Sequence, residues 1–96
     1  MGFDHAVCIN CSFLWRFDHP EQAGVVHHCD NCARDFTVGR WCGKHYPNAF
    51  ASLFSRPACP QCGGTSSTRG RQVGWSFPDL YLRQCRDCWS VWVARK

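Results

Sequence analysis

Apolar residues along this chain come in short runs that favour β-strands, and the runs recur in the same order in both halves. Val25-Val26-His27-His28 and Phe36-Thr37-Val38 stand in the first half, and Leu80-Tyr81-Leu82-Arg83 and Val91-Trp92-Val93 in the second. β-branched and aromatic residues dominate these runs, as pleated, half-buried positions require. Turn signals separate them, at Asp18-His19-Pro20 and Gln22-Ala23-Gly24 in one half and at Ser76-Phe77-Pro78-Asp79 in the other. Between the halves the period changes: Phe50, Leu53 and Phe54 share one face at helical spacing, with Asn48 placed to cap the segment and Pro57 to stop it. The pattern therefore predicts a mostly β chain in two units, 1–45 and 59–96, joined by a short helical linker, 46–58.

With 96 residues neither unit buries enough apolar surface to fold unaided, so a staple is required. The chain has nine cysteines, and eight form Cys-x-x-Cys pairs: Cys8 with Cys11, Cys29 with Cys32, Cys59 with Cys62, and Cys85 with Cys88. A two-residue gap lets both sulfurs of a tight turn face one ion, and two such turns make a tetrahedral four-thiolate zinc site. Regular knuckles with long intervals favour zinc over iron–sulfur clusters, which also take four thiolates. Met1 to Ala6 contains Asp4 and no apolar stretch of a secretory signal, and no segment is long enough to span a membrane. Ala6 also occupies the place where an N-myristoylation motif wants Ser or Thr. Reduced thiols point to the cytoplasm, or to a host cytoplasm for a viral protein.

The pairs themselves repeat. Seventeen residues separate Cys11 from Cys29, twenty-two separate Cys62 from Cys85, and an aromatic follows each unit's last cysteine by four residues, Phe36 and Trp92. Knuckle, strand, turn, strand, knuckle, strand is the layout of a zinc ribbon, so the expected fold is small, metal-stabilised and mostly β, with two tandem four-cysteine ribbons. Gly63 and Gly64 suit a knuckle that needs positive φ after its second thiolate.

Cys42-Gly43-Lys44-His45 is a fifth pair with ligand spacing. It is a candidate for a third zinc together with His27, His28 or His5, or else a packed thiol and a surface histidine. The order Cys8-Cys11, His27-His28-Cys29-Cys32, Cys42-His45 also resembles FYVE and related cross-braced fingers. Cross-bracing would join Cys8 and Cys11 to Cys42 and His45, and Cys29 and Cys32 to Cys59 and Cys62, leaving Cys85 and Cys88 without a site. The basic residues that flank that family's His-His run are absent, since Val25 and Val26 stand before it.

Catalysis is not expected. A catalytic zinc keeps an open position and a nearby base, whereas both proposed sites close on four cysteines and Glu21 is the sole glutamate. The pairs also lack the strand-to-helix setting of redox cysteines.

Charge separates the halves. Residues 1–45 carry a net −1 and residues 46–96 a net +5, within a formal total of +4. Two four-thiolate zinc sites would bring that total to about zero, so any basic surface is local. Arg69 and Arg71 lie in the second unit's hairpin, Arg83 and Arg86 on or beside the next strand, and aromatic residues are interleaved with them. Arginines among aromatics suit phosphate contact and stacking on unpaired bases. Trp75 and Phe77, near a turn, are the expected exposed rings, while Tyr81 and Trp92 are expected in the ribbon's small core.

Cys59-Pro60-Gln61-Cys62-Gly63, then Thr68-Arg69-Gly70-Arg71, Tyr81 and Cys85 resemble the Ogr/Delta family of phage late-transcription activators, which differ in a wider gap between their last two cysteines. The second unit is also similar to the zinc ribbons of transcription factors and RNA polymerase subunits. These resemblances imply DNA or polymerase contact through the hairpin, carried by Arg69 and Arg71. The expected function is a zinc-binding regulator that contacts nucleic acid or the transcription machinery through Arg69, Arg71, Arg83, Arg86 and Trp75, with no small-molecule substrate. The alternative is a zinc-stabilised adaptor or inhibitor, phage or viral, that binds a protein through its ribbon edges.

Overall fold

A computed structural model describes residues 2–44, 58–73 and 80–95 of the chain. The expected helical linker, apart from Ala58, lies outside the described residues, as do His45, Trp75 and Phe77. Among the described residues there are eight strands and no helix: β1 (Phe3–Val7), β2 (Leu14–Glu21), β3 (Val26–Cys29), β4 (Arg34–Thr37), β5 (Trp41–Lys44), β6 (Ser67–Gln72), β7 (Leu80–Cys85) and β8 (Val91–Arg95). The four β-favouring runs of the sequence are recovered in β3, β4, β7 and β8.

β1 and β2 pair antiparallel, as do β3 and β4, while β5 joins the three strands of the second half in a four-stranded sheet of order β5-β8-β7-β6. The turn expected at Asp18-His19-Pro20 is not formed. β2 runs straight through it, and the excess length is absorbed where the register jumps from Phe3↔Glu21 to His5↔Arg16. A bulge keeps the strand paired on both sides and leaves Pro20, which has no N–H to give, outside the regular ladder. The second signal does turn: Val25 N–H donates to the Gln22 carbonyl at 3.3 Å, with Gly24 at φ 94°.

Two-stranded sheets are marginal alone, and the two halves are not independent. Val7 of β1 packs with Leu80, Leu82, Val91 and Val93 in one buried cluster, flanked by Ile9 and Val73. β5, at the end of the first half, lies parallel to β8 with Trp41 opposite Val91. Main-chain bonds also cross between the halves: Arg71 N–H to the Ile9 carbonyl at 2.7 Å and Val91 N–H to the Arg40 carbonyl at 2.8 Å. Glycine makes both approaches feasible. A Cβ at Gly39 would overlap the Trp89 carbonyl, and one at Gly70 the Ile9 carbonyl.

Alternation along β7 and β8 divides the second sheet into two faces. Leu80, Leu82, Val91 and Val93 point into the cluster shared with the first half. Trp92, Ala94 and Cys85 point the other way, into a second cluster with Cys59. A third cluster of Ala6, Cys8, Cys29, Phe36 and Val38 fills the first half. Cysteine sulfur thus sits at the centre of two of the three cores.

Candidate metal centres and the arginine face

Each Cys-x-x-Cys pair is one copy of a single turn. The N–H of the residue after the second cysteine donates to the carbonyl of the first: Ser12 to Cys8 at 2.7 Å, Ala33 to Cys29 at 2.8 Å, Gly63 to Cys59 at 2.8 Å and Trp89 to Cys85 at 3.1 Å. That donating residue has positive φ in all four turns: 63° at Ser12, 61° at Ala33, 76° at Gly63 and 67° at Trp89. Only Gly63 adopts this conformation without cost, since a Cβ in the left-handed region costs about 1–2 kcal/mol. Three non-glycine residues held there mean the surroundings over-determine the turn.

The four turns converge in two pairs, Cys8 and Cys11 with Cys29 and Cys32, and Cys59 and Cys62 with Cys85 and Cys88, all sulfurs of a set lying within 4.8 Å of one another. Between the two pairs of a set the separations are 3.8 Å for Cys8–Cys32, 3.6 Å for Cys11–Cys29, 3.5 Å for Cys59–Cys88 and 3.5 Å for Cys62–Cys85. A tetrahedron of sulfurs about 2.3 Å from a central ion has edges of about 3.8 Å, so both sets fit one tetrahedral ion each. A disulfide needs about 2.05 Å, and all nine cysteines are free. The wiring is sequential: neither set follows the cross-braced alternative.

Donors surround the sulfurs, as thiolates require. The Trp15 indole N–H donates to Cys29 Sγ at 3.2 Å, Asn31 Nδ2 to Cys11 Sγ at 3.4 Å, Gln61 N–H to Cys59 Sγ at 3.4 Å and Asp87 N–H to Cys85 Sγ at 3.4 Å. Burial opposes charge on Cys29, yet the Trp15 indole and the Cys32 N–H bring its thiol down to about 6. Burial likewise opposes charge on Cys88, where the Ser90 hydroxyl and N–H bring the thiol down to about 7. In the same sets burial pushes Cys8 up to about 12. Cys62 also rises to about 12: the Gly64 N–H favours its thiolate, but hydrogen bonding with Cys85 and Cys88 prevails.

Cys42 belongs to neither set of four. It packs against the cluster of Cys59, Cys85, Trp92 and Ala94, and burial raises its thiol. In the described residues it is a packing thiol. The histidines are engaged elsewhere: His5 Nδ1 lies 2.7 Å from Asp4 Oδ1, His28 Nδ1 lies 3.1 Å from Asp35 Oδ1, and His27 stacks on Phe17 with centroids 4.8 Å apart.

Comparison with protein-family models, curated proteins and solved structures returned no match. Function must be read from the surface.

β7 carries Cys85 and, two residues before it on the same face, Arg83, so the second metal set anchors the strand that presents this arginine. Arg83 stands opposite Trp92 of β8 and, on its other side, opposite Arg69 of β6. The row Trp92–Arg83–Arg69 runs from core to solvent: Trp92 is 1% exposed, Arg83 half-buried and Arg69 exposed. Arg69 lies over the Tyr81 ring, its Cζ 3.5 Å from the centroid. Arg83 Nη1 donates to Ser67 Oγ at 3.1 Å, and Arg86 Nε to Thr68 Oγ1 at 3.2 Å. Burial, and then the charge of Arg69, lower the pKa of Arg83.

Like charges directly opposite on neighbouring strands repel. Every ion pair among the described residues joins a histidine to a carboxylate, and none involves Arg69, Arg71, Arg83 or Arg86. Trp92 lies in the core as expected, but Tyr81 is only half-buried and serves as a platform for Arg69. The pairing of Arg69 with Arg83 depends on register, which no local sequence signal specifies. The indole donor at Cys29 was equally invisible in sequence, because Trp15 lies fourteen residues from its acceptor.

Proposed function

We propose that this chain is a zinc-stabilised regulatory protein that binds nucleic acid through the outer face of β6 and β7. The carrying observation is the opposed pair Arg69 and Arg83, which has no carboxylate partner among the described residues; Arg71 follows close by in the sequence of β6, and Arg86 directly after β7. Repulsion inside such a cluster is relieved by polyanions, and phosphate neutralisation with counterion release supplies most non-specific affinity. Two sulfur-only donor sets at tetrahedral spacing support zinc as the ion in both sites. Four thiolates leave no coordination position open, which supports binding rather than catalysis. A reducing compartment suits the thiolates, and the likeness of the second unit to phage and cellular transcription ribbons supports work at the transcription machinery.

Fluorescence anisotropy with labelled oligonucleotides over a salt series tests the proposal. Arg69→Ala combined with Arg71→Ala is expected to weaken binding at least tenfold and to reduce the salt slope by about 2. Unchanged affinity and slope would overturn it.

A second reading, a protein-binding adaptor, draws on a different surface. A cavity of about 620 Å³ at the junction of the halves has Val7, Leu82 and Val93 among its lining, with Leu14 and Trp41 at its sides. Leu14 and Trp41 are 44% and 36% exposed. Recovery of a host protein that survives nuclease treatment and is lost in Leu14→Ser would favour this reading.

A further inference from the structure

We infer that the nucleic acid taken by the arginine face is single-stranded, and that a base stacks on the guanidinium plane of Arg69. The inference rests on the nucleic-acid reading above and adds the substrate class and the mode of contact.

Shape argues first. A duplex is read by an element that enters its major groove, about 12 Å wide. Here Arg69 and Arg83 lie on β6 and β7 of a four-stranded sheet, β5-β8-β7-β6, and beside them on that face β8 is covered, Trp92 and Ala94 being 1% and 2% exposed. At about 4.8 Å between strands the backbone alone is roughly 14 Å across, before side chains are counted. A sheet this wide, covered beside its arginines, does not enter the groove as a free two-stranded ribbon does. An exposed strand surface that carries a ring and charges is a form on which unpaired bases are laid out.

Chemistry argues next. Arg69 does not extend freely into solvent. Its Cζ lies over the Tyr81 ring, 3.5 Å from the centroid, a separation too short for an edge-on guanidinium, so the phenol covers one side of the plane while Arg69 remains exposed. Arginine planes accept nucleobases by stacking, and an aromatic beneath holds the plane in place. The donors at the guanidinium edge lie in that plane and stay available to a phosphate. Beside it, Arg83 is held by Ser67 Oγ at 3.1 Å and retains further N–H donors for the backbone. Neighbouring strands therefore offer a stacking plate and a phosphate clamp side by side, which is the pairing of functions that a single strand uses and a closed duplex does not.

The experiment uses the zinc-loaded full chain and four labelled probes: dT12, rU12, and duplexes of matched length in DNA and RNA. Both single strands are expected to bind at least tenfold more tightly than either duplex, and whichever of dT12 and rU12 binds better identifies the sugar preferred. Arg69→Lys keeps the charge and loses the plane, so it is expected to cost about tenfold on single strands with the salt slope unchanged. Tyr81→Leu is expected to do the same, with zinc content and melting temperature checking that it folds. Equal affinity for single strands and duplexes, or an Arg69→Lys variant that binds single strands like the parent, overturns this inference while leaving the nucleic-acid reading intact. No binding to any of the four probes overturns both.

Discussion

The side-chain amide of Gln84 donates to the main-chain carbonyl of Thr37 at 2.9 Å, joining β7 of the second half to β4 of the first. The same nitrogen donates to the Trp89 carbonyl at 3.0 Å, and Gln84 is buried. Gln84→Leu removes the donor and leaves two acceptors unpaired, which costs about 1–3 kcal/mol. Denaturant unfolding of the zinc-loaded protein should show one transition, shifted by that amount, with zinc content unchanged. Two transitions, only one of which moves, would mean that the halves fold separately.

A stronger test of the same junction is Gly39→Ala. Its Cβ would overlap the Trp89 carbonyl, and neither partner is the free end of a flexible side chain. Thermal melting should show a loss at the upper end of single-substitution effects, about 3 kcal/mol or more.

Ala33→Gly should move the other way. Ala33 is held at φ 61°, where its Cβ costs about 1–2 kcal/mol, partly offset by the greater freedom glycine gives the unfolded chain. A net gain of roughly 0.5 kcal/mol is expected by denaturant titration. Ser12→Gly provides the parallel case at the first turn.

Acid should release the metal. The thiols of Cys29, down to about 6, and Cys88, down to about 7, lie below their ordinary 9.0, so the stability they contribute is present above the ordinary thiol range and is lost as pH falls through 7 and 6. Cys8 and Cys62, both pushed up to about 12, hold protons that an ion must displace. Zinc binding therefore releases protons and weakens as pH falls. Release followed with a chromophoric chelator should be complete well below about pH 6, together with loss of tertiary structure; retention of both ions at about pH 4 would contradict this assignment.

Much of this was legible in the residues. The spacing of Cys8, Cys11, Cys29 and Cys32, repeated at Cys59, Cys62, Cys85 and Cys88, announced two four-sulfur sets because the knuckle is a local turn with a local signature. The strands around Val26, Phe36, Leu82 and Val91 were legible for the same reason. What the spacing could not give was anything set by distant packing. Val7 meets Leu82 and Val93 across most of the chain, and Cys42 packs against the cluster of Cys59, Cys85, Trp92 and Ala94, while His45, spaced from it like a ligand, lies outside the described residues. Glycine at position 63 pointed to a positive φ, but Ser12, Ala33 and Trp89 adopt one without any residue-type signal. Asp18-His19-Pro20 reads as a turn locally and is overruled by pairing with β1.

The fold depends most on what the two sulfur sets hold. Elemental analysis of the purified chain, joined to X-ray absorption at the zinc edge, tests this most directly. The prediction is two zinc ions per chain, each with four sulfurs at about 2.3 Å, and the same result in Cys42→Ser. A single ion, iron in place of zinc, or nitrogen in the zinc shell that disappears in His45→Ala would contradict it.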